Sequence, residues 1–303
     1  MLLALGVAPA AFLAVFYAWP FLTLIARAVA SPDETTVLER ASTARIVWFT
    51  AWQAVLSTLL TIALGLLPAY VLARFRFLGR RLLGGLLTAA FVLPTVVMGA
   101  AFLALLPPSL ERGVVAILAA HVTFNLAVVV RTVGAVWQHL PEDMEAAAAT
   151  LGASPARVWR EITLPLLRPA LLAAASIIFV FTFTSYGVVR VLGGAGRATI
   201  EVEIWRRATQ LGDTTGAALL AIGQLVVIGA EVWWSSWQQR RHSRALALRP
   251  LARGRRPRRG RERVTVTVTA ALITVVVLAP LGALVERSLR ARSWYSLEAW
   301  RRS

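Results

Sequence analysis

The chain has 303 residues, 58% of them hydrophobic and 16% charged, against the roughly 45–50% apolar content of an ordinary soluble domain, and this places it among membrane proteins. Its net charge of +17 rests on 32 basic residues, all of them arginine, and the lack of lysine excludes a Walker A phosphate loop. Cysteine is absent, which excludes disulfides and thiolate metal sites.

Crossing about 30 Å of hydrocarbon takes about 20 apolar residues in a helix. Seven runs of that kind occur, over 5–29, 46–73, 82–106, 113–136, 166–190, 214–238 and 264–285. The first is too long for a signal peptide, lacks a basic start and holds Trp19-Pro20 in its middle, so it reads as a retained helix. Arg74, Arg76, Arg80 and Arg81 follow the second run, and eleven arginines fall within 240–263. The positive-inside tendency makes both segments cytoplasmic. Alternation then puts the N-terminus and 137–165 inside, with 30–45, 107–112 and 191–213 outside, although the last carries Arg197, Arg206 and Arg207.

The fourth run holds His121, Thr123 and Asn125, with Arg131 nearer its cytoplasmic end. His121 and Asn125 are four apart and share a helix face. With Ser185 and Tyr186 of the fifth run they are candidates to line a pathway, and hydrogen bonding between helices is the commoner use of such groups. Thr182 and Thr184 read either as pathway groups or as bonded back to their own helix. Glu231, ahead of Trp233, Trp234 and Trp237, reads as part of an interfacial belt. The glycines of "LGGAG", 192–196, lack a preceding strand and a capped helix, so they read as an external turn and not a phosphate loop.

Membrane insertion alone gives no reason for "EDMEAAAATLGASPARVWREITLPLLRPA", residues 142–170. Glu145 to Leu151 combines strong helix formers with little side-chain bulk, and Gly152 is placed to end that helix in a left-handed conformation. Ser154 stands where an N-cap belongs and Pro155 at the first helical position. The spacing predicts helix, turn and short helix, in which Val158 and Ile162 share a face beside Trp159. Leu164-Pro165 is expected to break the register before the fifth membrane helix.

This loop resembles the cytoplasmic loop of bacterial ABC importer permease subunits: Glu-Ala-Ala, three residues, Gly, nine residues, Ile, one residue, Leu-Pro. Gly152, Ile162, Leu164 and Pro165 match the second half without a gap. In that register the glutamate position holds Ala146, with Ala147 and Ala148 as the alanine pair, and Glu145 lies one residue earlier. The stretch from Phe181 to Leu225 resembles members assigned to iron(III) or thiamine import, which usually fuse two permease domains in one chain.

The resemblance implies an all-α membrane protein of the bacterial inner membrane, with a six-helix ABC importer permease domain plus one additional C-terminal transmembrane helix. It implies a transport subunit without catalysis of its own. Its 141–165 loop would couple to a separate ATPase through Glu145, Ala146, Ala147, Gly152, Ser154, Pro155, Trp159, Ile162, Leu164 and Pro165. The chain itself would hold no cofactor, because ATP and Mg bind to the ATPase, and a substrate-binding protein and a second permease domain would complete the importer.

A faint repeat at an offset of about 260 residues pairs Pro20, Leu24 and Arg27 with Pro280, Leu284 and Arg287. The expected organisation is a permease domain over 1–239, a basic cytoplasmic linker over 240–263, and over 264–303 the opening of a second, truncated permease domain. The rival class, a membrane-embedded protease or lipid-linked transferase, lacks its chemistry here. His121, His139 and His242 fall in separate segments, and no His-Glu-x-x-His, paired aspartates or nucleophile elbow occurs. Nucleic acid is excluded by context: the arginine block lies between membrane helices, and its chemistry suits anionic lipid headgroups.

Overall fold

The computed structural model describes residues 2–30, 41–140, 142–194, 196–242, 254–291 and 294–295. Most of the expected external segment 30–45, and the 243–253 part of the basic segment, lie outside the described residues. The described residues are helical nearly throughout. The helices are α1 (Leu2–Leu13), α2 (Trp19–Ala30), α3 (Ala41–Arg74), α4 (Arg80–Val92), α5 (Thr95–Leu105), α6 (Val114–His139) and α7 (Glu142–Thr150). They continue as α8 (Pro155–Val158), α9 (Leu164–Phe183), α10 (Gly187–Leu192), α11 (Ile200–Arg206), α12 (Thr214–His242) and α13 (Gly260–Leu289). Two-residue strands, Arg290–Ala291 and Trp294–Tyr295, pair antiparallel at the end.

Two compact units are formed, one from residues 1–50 and 198–230, the other from 51–197 and 231–303. In the first, Thr50 on α3 accepts the backbone N–H of Ile200 at 3.0 Å, and Gln224 of α12 donates to Glu201 of α11 at 2.6 Å. The second unit carries the larger core. There Ala69, Ala73, Val129, Val133, Leu167, Ala170, Ala174 and Ile178 bury the facing sides of α3, α6 and α9. Small residues permit this closeness, since a Cβ on Gly65 would meet the Val129 side chain at 2.8 Å.

Among the described residues five helices are long and apolar enough to cross a membrane, and a sixth crossing results if the bent pair α4–α5 is one span. The segment expected as a single helix over 82–106 turns by 106° between Val92 and Thr95. Pro94 supplies no N–H, and it holds Leu93 in extended conformation (ψ 141°). The run expected over 166–190 likewise stops at Phe183 and resumes as α10. These two broken helices meet: α10 packs on α5, where a Cβ on Gly187 would strike the Val96 backbone nitrogen at 2.6 Å.

One proline acts differently from the expectation. Leu164-Pro165 does not interrupt the chain, because a π-helical turn over Trp159–Thr163 widens the helix ahead of Pro165 and α8 continues into α9. The same device, a π-helical turn over Ala14–Ala18, precedes Pro20. A wider turn absorbs the missing N–H and the bulk of the ring without a break. Helix α13, expected from 264, begins at Gly260 and packs on α4 and α5.

Candidate functional site

The helix–turn–helix over 142–163 forms as its sequence predicts. Gly152 takes φ 84°, with no heavy atom within 4 Å of where a Cβ would stand, so the requirement for glycine is conformational and not spatial. Ala153 N–H bonds back to Ala148 O at 3.0 Å, closing the end of α7. Ser154 caps α8 by accepting the Arg157 N–H at 3.3 Å, with Pro155 at the first helical position.

The turn is open to the outside. Leu151 is 88% exposed, and Met144, Ala146, Ala147, Gly152, Ser154 and Pro155 are exposed beside it. Ile162 and Leu164 are half-buried and Pro165 is exposed. Trp159 turns inward, its ring 5.7 Å from that of Trp137, which lies 5.3 Å from Tyr70 on α3. An aromatic file therefore joins the short helix to two membrane helices.

Glu145 also faces inward. It accepts from Arg74 Nη2 at 3.1 Å and from Thr163 Oγ1 at 3.2 Å. Arg74, only 4% exposed, gives its Nη1 to Leu140 O at 3.0 Å. The last residue of α3 thus clamps the start of α7 to the membrane helices. Sequence reading uses Arg74 only as a marker of sidedness, and its clamp needs a partner 71 residues away that no local pattern reveals.

Of the intramembrane polar residues, His121 and Ser185 are brought together. His121 is 2% exposed, with Nε2 2.9 Å from Ser185 Oγ and Nδ1 3.1 Å from Ser57 Oγ, so one imidazole joins α3, α6 and the break after α9. A neutral ring has one donor and one acceptor, and either hydroxyl can serve either role. Asn125 is buried and gives Nδ2 to His121 O on its own helix at 2.9 Å, while Tyr186 is half-buried in the break. Thr182 and Thr184 bond back to Ile178 O and Val180 O, each at 2.8 Å.

A second constellation escapes the sequence reading. Glu203, 3% exposed, accepts from Arg206 Nε and Nη2 at 2.8 Å each and from Arg207 Nε at 2.9 Å. Arg207 reaches on to Asp213 Oδ2 at 2.8 Å, and Asp213 Oδ1 accepts the Gly216 N–H at 2.7 Å, capping α12. Burial opposes charge on Glu203, but the hydrogen bonds and charges of Arg206 and Arg207 outweigh it and hold the carboxyl below the usual range.

The model of the family described as binding-protein-dependent transport system inner membrane component matches residues 61–291, more than half of the chain and through the helix–turn–helix. The chain belongs to this family. Curated relatives of the permease chain include the thiamine transport system permease protein ThiP of Escherichia coli (strain K12), 32% identical over 241 residues, 74% of this chain and 43% of that protein. Another is the putrescine transport system permease protein PotI of the same organism, 29% identical over 182 residues, 56% of this chain and 64% of PotI. The sulfate transport system permease protein CysT of Salmonella typhimurium (strain LT2) is 35% identical over 143 residues, 43% of this chain and 52% of CysT. The permease chain thus spans less than two thirds of the length of each. In fold it is similar to a chain of a bacterial ABC transporter that imports alginate, with TM-score 0.66 and 17% identity, covering 79% of this chain and 95% of that one.

Proposed function

We propose that this chain forms part of the translocation pathway of an ATP-driven importer and couples to a separate ATPase through the 142–163 helix–turn–helix. The observation that carries the reading is the division of that loop into two faces. Ala146 and Ala147 are presented outward with no bulk to keep another backbone away, beside the exposed apolar side chain of Leu151. Glu145, Thr163 and Trp159 tie the inner face to α3 and α6. A surface that binds a partner outside and is clamped to membrane helices inside can pass a partner's movement to those helices. In this reading ATP and Mg belong to the partner, the N-terminus and the loop are cytoplasmic, and a second permease domain and a substrate-binding protein complete the importer.

Of the two substrates expected from sequence, thiamine is the better supported, because the name of ThiP carries it and none of the three relatives above is named for iron. Uptake of labelled thiamine against iron(III) by cells carrying the complete importer separates them.

The coupling reading is tested with single cysteines at Ala147 and Leu151, placed in a chain that has no cysteine of its own. Each is expected to cross-link to a co-purified ATPase subunit, and a cysteine at Val92 is not. An ATPase that binds the chain while both loop positions remain free and reactive excludes this loop as the docking surface.

A further inference from the structure

The start of α13 and the end of α3 enclose a cleft of about 540 Å³, and its arginine-bearing side, 255–262, has no part in the coupling reading. Tyr70, Arg74, Glu145 and Ala146 line one side, and Arg255, Arg258, Arg259 and Glu262 the other. Four arginines against two glutamates leave a surplus of two positive charges. Both carboxylates are already engaged: Glu145 by Arg74 and Thr163, Glu262 by Arg255 Nη1 at 2.7 Å and by the backbone N–H groups of Arg258 and Arg259 at 2.9 and 3.3 Å.

The arginine-bearing segment is held in place. Arg255 bonds through its backbone to Arg74 O at 3.0 Å and to Arg76 N at 2.9 Å, and its guanidinium lies 4.9 Å above the Phe75 ring. Glu262 fixes the next turn by accepting from the preceding backbone amides of Arg258 and Arg259. The guanidinium groups of Arg258 and Arg259 are exposed, and among the described residues neither has a carboxylate within ion-pair distance. Two exposed guanidiniums without a carboxylate partner among the described residues, carried on a backbone that Glu262 holds, suit a phosphate oxyanion.

The cleft lies where two membrane spans, Ser42–Arg74 and Gly260–Leu289, have their ends. That position favours a phosphate delivered from the headgroup layer over one free in solution. We propose that this cleft is a binding site for the phosphate-bearing headgroup of an anionic phospholipid, with Arg258 and Arg259 as its principal contacts. The proposal does not depend on coupling to an ATPase, because it concerns binding to this chain alone.

The test uses the full-length purified chain in detergent, titrated with short-chain phosphatidylglycerol, short-chain phosphatidylcholine and inorganic phosphate, with bound lipid counted by native mass spectrometry. Phosphatidylglycerol is expected to bind in preference to phosphatidylcholine, and more weakly as salt is raised. The Arg258→Gln/Arg259→Gln variant is expected to lose about thirtyfold in phosphatidylglycerol affinity, from two arginine contacts near a lipid surface. The Arg80→Gln/Arg81→Gln variant removes equal charge from a neighbouring turn and is expected to keep affinity within about twofold, since each exposed charge acts mainly over a Debye length. Unchanged elution and helical content show that each variant is folded. Equal losses in the two variants would make the binding a general charge effect and overturn the site. Inorganic phosphate that displaces phosphatidylglycerol at equal concentration would identify a free-anion site and overturn the lipid assignment.

Discussion

Arg74 and Glu145 lie 71 residues apart in sequence and are joined by an ion pair of 3.1 Å at the point where the exposed helix–turn–helix meets the membrane helices. The glutamate that sequence comparison finds one residue out of register is therefore the one that holds the loop to its own chain. The motif register itself, at Ala146, presents only a methyl group to the outside.

The pair is expected to be directly measurable. Arg74→Gln leaves Leu140 O without its guanidinium donor and should lower stability by about 2 kcal/mol, and Glu145→Gln by about 1 kcal/mol, as for charge-assisted hydrogen bonds near a surface. A double-mutant cycle by thermal unfolding in detergent should return a coupling near 1 kcal/mol. Additivity of the two changes would show that the contact contributes nothing to holding α7.

Gly152 separates backbone conformation from packing, because it has φ 84° and open space around it. Gly152→Asn should be tolerated, Gly152→Ala should cost about 1 kcal/mol, and Gly152→Val should cost more, since β-branched residues resist the left-handed region. With a co-purified ATPase, the valine variant should assemble normally yet fail to stimulate hydrolysis. Full stimulation in that variant would remove the turn from the coupling machinery.

The features legible in the sequence are those that a few neighbouring residues decide. Gly152, Ser154 and Pro155 specify a turn and a cap within four positions, and the structure forms both. Apolar runs likewise locate the helices that are long and apolar enough to cross a membrane, although among the described residues the first run, 5–29, is not one of them. The same reading passes over the bend at Pro94 and the break at Thr184–Ser185, because the apolar run continues on both sides of each. Whether a proline ends a helix or is absorbed by a π-helical turn, as at Pro165, depends on what packs around it. The clamp at Arg74 and the bridge at His121 join residues 71 and 64 apart, and a sequence displays their members without their partners.

The His121 bridge predicts an unequal response. Ser57→Ala and Ser185→Ala each remove one hydrogen bond and should cost roughly 0.5–1 kcal/mol, within the range for interhelical bonds in membranes. His121→Leu removes both bridging hydrogen bonds at once and should cost roughly 1–2 kcal/mol. Unfolding midpoints in detergent check the order, and a histidine variant no worse than either serine variant would show that the ring is not the bridge.

The Glu203 network gives a pH dependence with a definite sign. Its folded pKa lies below that of the unfolded chain, so its contribution is complete above the ordinary glutamate value of about 4.3 and is lost as pH falls through the lower folded value. Stability of the wild-type chain should be flat from about pH 7 to 5 on this account and fall below about pH 4. Glu203→Gln should already be less stable at neutral pH and should show a shallower acid decline. Parallel acid declines in the two proteins would place the titration elsewhere.

Sidedness can be tested across α12 alone. Its 29 residues, Thr214–His242, extend about 43 Å at 1.5 Å per residue, enough to cross about 30 Å of hydrocarbon, so its two flanks are expected on opposite faces. Three arginines lie in 191–213 and eleven in 240–263, and the larger group should stay inside. The three on the other flank are not an equal counterweight, for Arg206 and Arg207 are already committed to Glu203 and Asp213. The Gln210→Cys and Arg256→Cys variants, each with a single thiol, can be exposed to a membrane-impermeant maleimide in intact cells. Gln210→Cys should label at once and Arg256→Cys only after the membrane is opened. The reverse pattern would place the 142–163 loop outside the cell, beyond reach of any cytoplasmic ATPase, and equal labelling of both would show that α12 does not span.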